Sequence, residues 1–402
     1  MDLTTLAGLR TAEGTAVLAG AAARGTDEST LLATLTALRA RHDPALVAAA
    51  LTQVRLRGRA RAKFGSDAER MFFTPDGVEQ ATRAVVAARH ADRFVGAGAD
   101  RLLDLCCGIG GDLVAAARAG LAVRGVDRDP LTAEVARVNA AVLGLERVAV
   151  DCADVTAVRL DAVRRQALAA WVDPARRRGG RRVFDPRSYS PPLSFVAELA
   201  AAVPLTGAKV APGIPHEAVP AGAEAEWVSV GGEVKEAALW FGPLATAVRR
   251  ATVLAAGAAP AGASLVDSAA GPPPVGPPGE WLYEPDGAVI RAGLVGEVVA
   301  ALPGGRLVDP TIAYVAADRP AQTPYARGYR VTDVLPFSLA RLRSLLRARG
   351  VGRVTVKKRG SAVDPEALRR DLRLSGAGAA VVVLTRVAGA PTVLLCEALA
   401  RR

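Results

Sequence analysis

Leu102-Leu103-Asp104-Leu105-Cys106-Cys107-Gly108-Ile109-Gly110-Gly111-Asp112 is a short apolar run that breaks into a glycine turn. Val126-Asp127-Arg128-Asp129 follows, with Asp127 fifteen residues past Asp112. An apolar pattern of helical period separates the two, and the second stretch closes an apolar run on an acid. Strand, glycine turn, helix and strand-ending acid are the order of a doubly wound α/β fold that holds an adenosine-bearing ligand at the carboxyl ends of its strands. Glycine at 108 and 110 brings the backbone close to such a ligand, where a Cβ would collide with it. A carboxylate at Asp127 can accept both hydroxyls of a ribose.

The turn discriminates between ligands. A dinucleotide site reads G-x-G-x-x-G and presents a helix N-terminus to a pyrophosphate. Here the run is Asp104-x-Cys106-x-Gly108-x-Gly110, with Asp112 just behind it. Two carboxylates repel a pyrophosphate and attract S-adenosylmethionine, which carries a sulfonium and an ammonium. The flanks therefore favour a methyl donor over a hydride carrier.

Asp104 to Gly110 resembles motif I of the class I S-adenosylmethionine-dependent methyltransferases, with Cys106 where most members carry the first glycine. The same departure occurs in the branch containing trimethylguanosine synthase, the RNA cap guanine-N2 methyltransferases. Phe72-Phe73-Thr74-Pro75, with a helical run from Gly77 to Phe94, is similar to that branch's Phe-x-x-Thr-Pro segment, which lies against the cofactor. The resemblance runs from about Met71 to Gly242. It implies that Phe73, Thr74, Pro75, Asp104, Cys106, Gly108, Gly110 and Asp127 bind S-adenosylmethionine. Such enzymes also place an acid near the adenine amino group after the third strand. Asp154 stands there, Asp151 is the other candidate, and a cap on the next helix is the competing role for Asp154.

Strand patterns at Leu102–Leu105, Val123–Asp127, Val148–Val150, Ala169–Val172 and Lys209–Ala211 alternate with helices, as a parallel sheet requires. Asp129-Pro130 opens the helix that runs to Leu143. Trp227–Val230 and Ala237–Phe241 read as a hairpin across Gly231-Gly232. The fourth strand ends in Asp173-Pro174-Ala175-Arg176, which resembles motif IV of amino methyltransferases, usually Asp/Asn-Pro-Pro followed by an aromatic. An exocyclic amine conjugated to a base attacks poorly, because its lone pair is delocalised. Hydrogen bonds from its N–H groups to a carboxylate and a backbone carbonyl rehybridise and aim it. Asp173 and the Pro174 carbonyl are the candidate catalytic groups, with a structural turn as the alternative. Ala175 and Arg176 replace the second proline and the aromatic, so stacking on a base falls to Arg176, Phe184 or Tyr189. Arg176, Arg177 and Arg178, with Arg181, Arg182 and Arg187, crowd the following loop and are candidates for phosphate contacts. Small acidic metabolites suit that loop too, and a solvated loop needs no ligand at all.

The chain has 402 residues, half of them hydrophobic, which is enough for two or three domains. Ala, Gly, Pro and Arg are abundant and Lys and aromatics scarce, a skew that GC-rich coding produces. Its charge is uneven: residues 341–402 hold fourteen Lys and Arg against four Asp and Glu, nearly all of the net +11. A concentrated charge suits a polyanion such as RNA. Four cysteines without a C-x-x-C pair and three histidines give no zinc pattern, and no metal is expected. Adjacent cysteines in the turn favour a reducing compartment, no uncharged apolar run reaches membrane length, and no basic-then-apolar signal follows Asp2, so a cytoplasmic protein is expected.

Residues 1–70 read as a segment of short helices, with starts at Thr26-Asp27-Glu28 and Asp43-Pro44. The alternating run Arg55, Arg57, Arg59, Arg61, Lys63 reads as a solvated face or a nucleic-acid contact. Residues 71–265 form the catalytic domain, and 266–324 a linker with connecting elements, marked by the Pro-rich run 271–279 and one helix within Glu284 to Leu302. From 325 to 402 the pattern is α+β: a helix over Ser338–Arg349, a strand over Val351–Lys358, a helix start at Asp364-Pro365, and strands Ala379–Val387 and Pro391–Cys396. Lys357-Lys358-Arg359-Gly360 and the run Leu384–Gly389 resemble the THUMP-like domain at the C-terminus of some bacterial methyltransferases. By that resemblance Lys357, Lys358 and Arg359 are candidate RNA contacts.

The expected fold is thus α/β, a Rossmann-like class I methyltransferase sheet with an N-terminal helical segment and a small C-terminal α+β THUMP-like domain. The expected function is S-adenosylmethionine-dependent methylation of a base nitrogen of RNA, guanine N2 leading. The rivals are methylation of a small molecule or protein, and an inactive methyltransferase fold that binds RNA.

Overall fold

Strand β1 (Arg101–Leu105) stops where Cys106 turns to φ +60°. That left-handed conformation costs an L-residue about 1 kcal/mol. The turn continues through Gly108 at +56° and Gly110 at +92° into helix α7 (Gly111–Arg118). Strand β2 (Ala122–Asp127), helix α8 (Pro130–Val142) and β3 (Val148–Cys152) follow, and Asp129 caps α8 by accepting from the Thr132 amide at 2.7 Å. β4 is Ala169–Val172, and Arg177–Arg178 (β5) pairs antiparallel with Arg181–Arg182 (β6). The computed structural model describes residues 1–157, 169–175, 177–178, 181–182, 188–255, 262–268 and 271–399.

Two units divide the chain: Met1–Glu224 with Ala237–Thr246, and Ala225–Glu236 with Ala247–Arg402. In the first, β1 lies between β2 and β4, with β3 beyond β2, all parallel. β4 pairs in parallel with β7 (Leu205–Val210) after a helix over Leu193–Ala202. β8 (Glu224–Val230) and β9 (Glu233–Trp240) flank Gly231-Gly232, both at positive φ, and the Ala237–Trp240 end of β9 runs antiparallel to β7. The strand order reverses at β1 and β4. This is the switch point where an α/β sheet opens a crevice at its carboxyl ends.

Four helices open the chain: α1 (Leu3–Leu9), α2 (Ala12–Arg24), α3 (Glu28–Arg39) and α4 (Pro44–Phe64). Asp43 starts α4 by accepting from the Ala45 and Leu46 amides, with Pro44 in the first turn. The helical run expected from Gly77 to Phe94 is in fact two helices, α5 (Pro75–Gln80) and α6 (Ala84–Gly96). Ala81 leaves the helical region at ψ 140°, and Arg83 does so at ψ 141°. Behind the sheet, Trp171 and Trp240 stack with centroids 5.4 Å apart, and His90 of α6 lies 4.1 Å from the Trp171 ring.

The second unit pairs β8 in parallel with β10 (Arg249–Leu254), and β10 antiparallel with β11 (Ala263–Val266). It also holds a seven-stranded sheet of β12 (Trp281–Pro285), β13 (Arg306–Asp309), β14 (Ile312–Ala317), β15 (Ala326–Pro336), β16 (Val351–Lys358), β17 (Gly378–Val387) and β18 (Ala390–Ala398). Their order is β13-β14-β12-β15-β18-β17-β16. The segment expected as linker and connecting elements thus supplies three strands of that sheet. Even the Pro-rich run is fastened, since Leu307 of β13 donates to Pro274 and receives the Gly276 amide. The single helix expected within Glu284 to Leu302 is two short ones, Gly287–Arg291 and Val295–Ala301, parted by Gly293 at φ +69°. Along β17 the side chains alternate. Val382 and Leu384 meet Leu342, Leu346, Leu368 and Leu372 of the Leu339–Ala348 and Pro365–Leu372 helices, while Val383 meets Leu282, Tyr314 and Tyr329.

A Cβ on Gly207 would lie 2.7 Å from Trp240 and 2.8 Å from Trp171, so glycine there lets the two indoles stack. Gly207→Ala is expected to destabilise the fold by about 1–3 kcal/mol, read as a lower urea midpoint with an unchanged m-value. An unchanged midpoint contradicts this packing.

Candidate active site

At the carboxyl end of β1, Asp104 pairs in register with Trp171 of β4 and is 1% exposed. Both of its carboxylate oxygens are buried without a hydrogen-bond partner among the described residues. Burial raises its pKa well above the ordinary carboxylate range; Asp112, Asp173 and Asp127 push the same way, and Lys209 opposes them. A buried carboxylate left unpaired is costly, and a cationic partner at this point would offset that cost. Cys106 and Cys107, next in the turn, are free thiols whose pKa values burial and the neighbouring carboxylates drive upward, which keeps them neutral.

Asp127 ends β2 and holds the turn. Its Oδ2 accepts from the Gly108 amide and its Oδ1 from the Asp129 amide, both at 3.0 Å. Burial raises its pKa against the pull of those two bonds. A Cβ at Gly108 would meet no protein atom within 4 Å, so this residue faces open space beside Asp127. At Gly110 the nearest atoms stand 3.7 Å away, at Ala136, and it is the positive φ that calls for glycine.

Asp173 follows β4, with its amide bonded to Leu105 O. Its Oδ2 accepts from Lys209 Nζ at 2.8 Å, and its side chain is 25% exposed against 5% for Lys209. Lys209 also donates to Thr82 Oγ1 at 2.9 Å. Thr82 in turn donates to Asp112 Oδ2 at 2.7 Å, and His90 Nδ1 lies 2.7 Å from Asp112 Oδ1. Burial alone would raise Asp112, but the bond and charge of His90, the charge of Lys209 and the Thr82 bond hold its pKa below the usual value. Sequence reasoning missed Lys209, Thr82 and His90. The available signal was a lysine inside an apolar strand, since lysines are seldom fully buried unless paired.

The Phe72–Thr82 segment lies against the turn, fixed from both sides. Asn139 of α8 accepts from the Phe72 amide at 2.7 Å and donates at 3.0 Å to both Phe72 O and Ile109 O. From α4, Gln53 exchanges two bonds with the Phe73 backbone, at 2.9 and 2.8 Å. A Cβ at Gly77 would fall 2.5 Å from the Ile109 side chain. The Phe73 ring is fully buried against Phe64, in the helical core rather than on open surface beside the cofactor turn. Thr74 caps α5 by accepting from the Gly77 amide, and Pro75 is exposed in the first turn.

Other expected residues take other places. Asp154 is exposed and accepts from both the amide and the hydroxyl of Thr156 through Oδ1, bonds that lower its pKa; this is the capping role. Asp151 pairs with Arg124. Pro174 is buried behind Asp173. Tyr189 is not open to stack on a base: it is 4% exposed, and its hydroxyl accepts from the Ala211 amide at 3.2 Å. Arg176, Phe184 and Arg187 lie outside the described residues, and Arg177 and Arg178 are placed only as strand β5. Lys357, Lys358 and Arg359 do not share one patch, because alternation along an extended chain sends neighbours to opposite faces. Lys357 pairs with Glu284 at 3.1 Å, and the Arg359 guanidinium lies 5.6 Å from the Tyr314 centroid. Lys358 alone of the three is exposed, bonded to Val363 O. The basic run on α4 is largely consumed within the fold, by Arg57 to Met71 O, Arg61 to Glu69 and Lys63 to Glu79 O and Ala81 O.

Over 344 residues the chain is 38% identical to an uncharacterised S-adenosylmethionine-dependent methyltransferase of Mycobacterium tuberculosis strain CDC 1551. The match spans 83% of this chain and 90% of that protein. The chain belongs to the S-adenosylmethionine-dependent methyltransferases. The counterpart in strain H37Rv matches equally, at 38% over 344 residues. Residues 326–398 of this methyltransferase match a family described as THUMP domain-like, and residues 2–60 match a domain of unknown function (DUF8688). A crystal structure from Porphyromonas gingivalis W83, of a protein assigned as a methyltransferase, superposes with a TM-score of 0.74 at 22% identity. It covers 90% of this chain and 92% of that one, and so shares its fold.

The residues present fit S-adenosylmethionine. Asp104 offers a buried carboxylate to an ammonium, Asp127 a carboxylate to hydroxyls, and Gly108 an open approach between them. Among the described residues no group of three or more His, Cys, Asp or Glu side chains could hold a metal ion, and no helix is long and apolar enough to cross a membrane.

A carboxyl with a raised folded pKa binds its proton more tightly folded than unfolded. The cofactor-free methyltransferase therefore loses stability as pH rises from about 4 through the pKa of Asp104. Asp104→Asn removes this cost and should raise thermal stability at neutral pH, on the order of 1 kcal/mol, while abolishing cofactor binding seen by calorimetry. Unchanged cofactor affinity contradicts the assignment.

Proposed function

We propose that this methyltransferase modifies an exocyclic base nitrogen of RNA, with guanine N2 the leading acceptor. The observation that carries the reading is Asp173: a partly exposed carboxylate at the carboxyl end of β4, one strand from Asp104. An acceptor with N–H groups needs such a carboxylate to draw its lone pair out of conjugation; an oxyanion acceptor would be repelled. S-adenosylmethionine, when bound, supplies a methyl group on a cationic sulfur. Asp173 accepts a hydrogen bond from the N–H of the incoming nitrogen and orients its lone pair, while Lys209, donating to the same carboxylate, holds it in place. The Pro174 carbonyl is a candidate second acceptor for the same amine.

RNA is supported by the THUMP domain-like match and by the charge of the C-terminal segment. Arg341, Arg347, Arg353, Lys358, Arg369, Arg370 and Arg373 are exposed there, which suits phosphate contacts. Guanine N2 rests on the resemblance at Cys106 and Phe72–Pro75 alone. One observation favours a second reading, a small molecule or protein acceptor: with Arg176 replacing the aromatic and Tyr189 buried, neither position provides an aromatic platform for a base.

Labelled S-adenosylmethionine incubated with total RNA from a strain lacking the gene should transfer label to one nucleoside, identified by mass spectrometry. Label on protein or small molecules alone overturns the RNA reading. Asp173→Ala should lower kcat about 10²-fold and leave cofactor affinity within about 2-fold. Loss of cofactor binding in that variant contradicts the role given to Asp173.

A further inference from the structure

The break between α5 and α6 puts three residues, Ala81-Thr82-Arg83, where a continuous helix would have buried or exposed them differently. Thr82 is 4% exposed, and its hydroxyl is spent twice. The O–H donates to Asp112, and the oxygen accepts from Lys209, which holds Asp173. A hydroxyl is the one small group that both donates and accepts at a single atom. Either neighbour of Thr82 is tied to the end of α4. Lys63 Nζ donates to Glu79 O and to Ala81 O, each at 2.7 Å, and Arg83 donates to Ala62 O at 2.8 Å. Farther back on α4, Gln53 and Arg57 hold the backbone of Phe73 and Met71. Burial pushes Lys63 down to about 8, and Lys209 and Asp173 both act on it, so the α4 terminus lies within electrostatic reach of the Asp173 pair.

We propose that the N-terminal helical region is a working part of the methyltransferase site, and that it sets the position of Asp173 through Lys63, the Ala81–Arg83 break, Thr82 and Lys209. Thr82 and Lys63 are positioning residues; neither touches the reacting atoms. The match to a domain of unknown function ends at residue 60, just before Lys63; within it, Gln53 and Arg57 hold the Phe73 and Met71 backbone that leads into this segment. The inference concerns this site and holds for any acceptor.

The test uses the full-length protein with ¹⁵N-labelled lysine, the Lys209 ammonium signal being assigned by its loss in Lys209→Arg. Thr82→Val should shift that signal and speed its exchange, Thr82→Ser should restore it, and Lys63→Met should move it in the same direction as Thr82→Val. In the double variant Lys63→Met/Thr82→Val the effects should not add, because both act through one link. Cofactor affinity by calorimetry should stay within about 3-fold in all of them, while kcat on whichever acceptor is labelled falls about 10-fold in Thr82→Val. A Lys209 signal indifferent to Lys63→Met, or strictly additive shifts, overturns the link from α4. A normal signal in Thr82→Val overturns the role of Thr82. The spectroscopic arm needs no substrate, so its failure is distinct from failure of the RNA reading.

Discussion

Asp112 in α7, Asp127 at the end of β2 and Asp173 after β4 all press on Asp104 of β1, and Lys209 is a buried cation that opposes them. Like charges at such range in a low dielectric repel strongly. The fold resolves the conflict unevenly. Asp112 is satisfied by His90, Thr82 and Lys209; Asp127 by two backbone amides; Asp173 by Lys209. Asp104 alone is left with neither oxygen bonded among the described residues. A surplus of negative potential at that point suits a cationic ligand, in keeping with the S-adenosylmethionine dependence of the family.

That pattern explains why the turn residues are what they are. A dinucleotide fold presents amides to a phosphate, whereas here the amide of Gly108 is already taken by Asp127. The helix N-terminus behind the turn begins with Gly111-Asp112, so its positive end faces a carboxylate of its own chain. Cys106 accepts a left-handed conformation to bring the chain round within a few residues of Asp104. Its thiol remains neutral there, adding no charge to a crowded site.

Much of this was legible in the sequence, for identifiable reasons. β1, β2, β4 and the capped start of α8 come from local signals: apolar runs, glycines at positive φ, and an Asp-Pro helix start. Asp104, Asp127 and Asp173 lie at or just past the carboxyl ends of neighbouring parallel strands, so topology brings them together. The break at Ala81–Arg83 was not legible, since Gly77 to Phe94 has continuous helical periodicity and the interruption is imposed by bonds from Lys63 and Arg83 across the fold. Lys357, Lys358 and Arg359 looked like one basic patch because sequence adjacency hides the alternation of a strand. The strands between 281 and 317 were masked by the Pro and Gly around them, and the pairing of β12 with β15 that joins them to the rest of the sheet is a long-range event.

The central claim, that Asp104 is the buried anchor for the cationic cofactor, can be read from protons. Asp104 carries a raised pKa when unpaired, and an ammonium beside it lowers that value, so binding must expel a proton. Titration calorimetry of the native protein with S-adenosylmethionine over a series of pH values, in buffers of different ionisation enthalpy, should show net proton release on binding, and Asp104→Asn should not bind the cofactor. Equal affinity in that variant, with no net proton release by the native protein, would contradict the account.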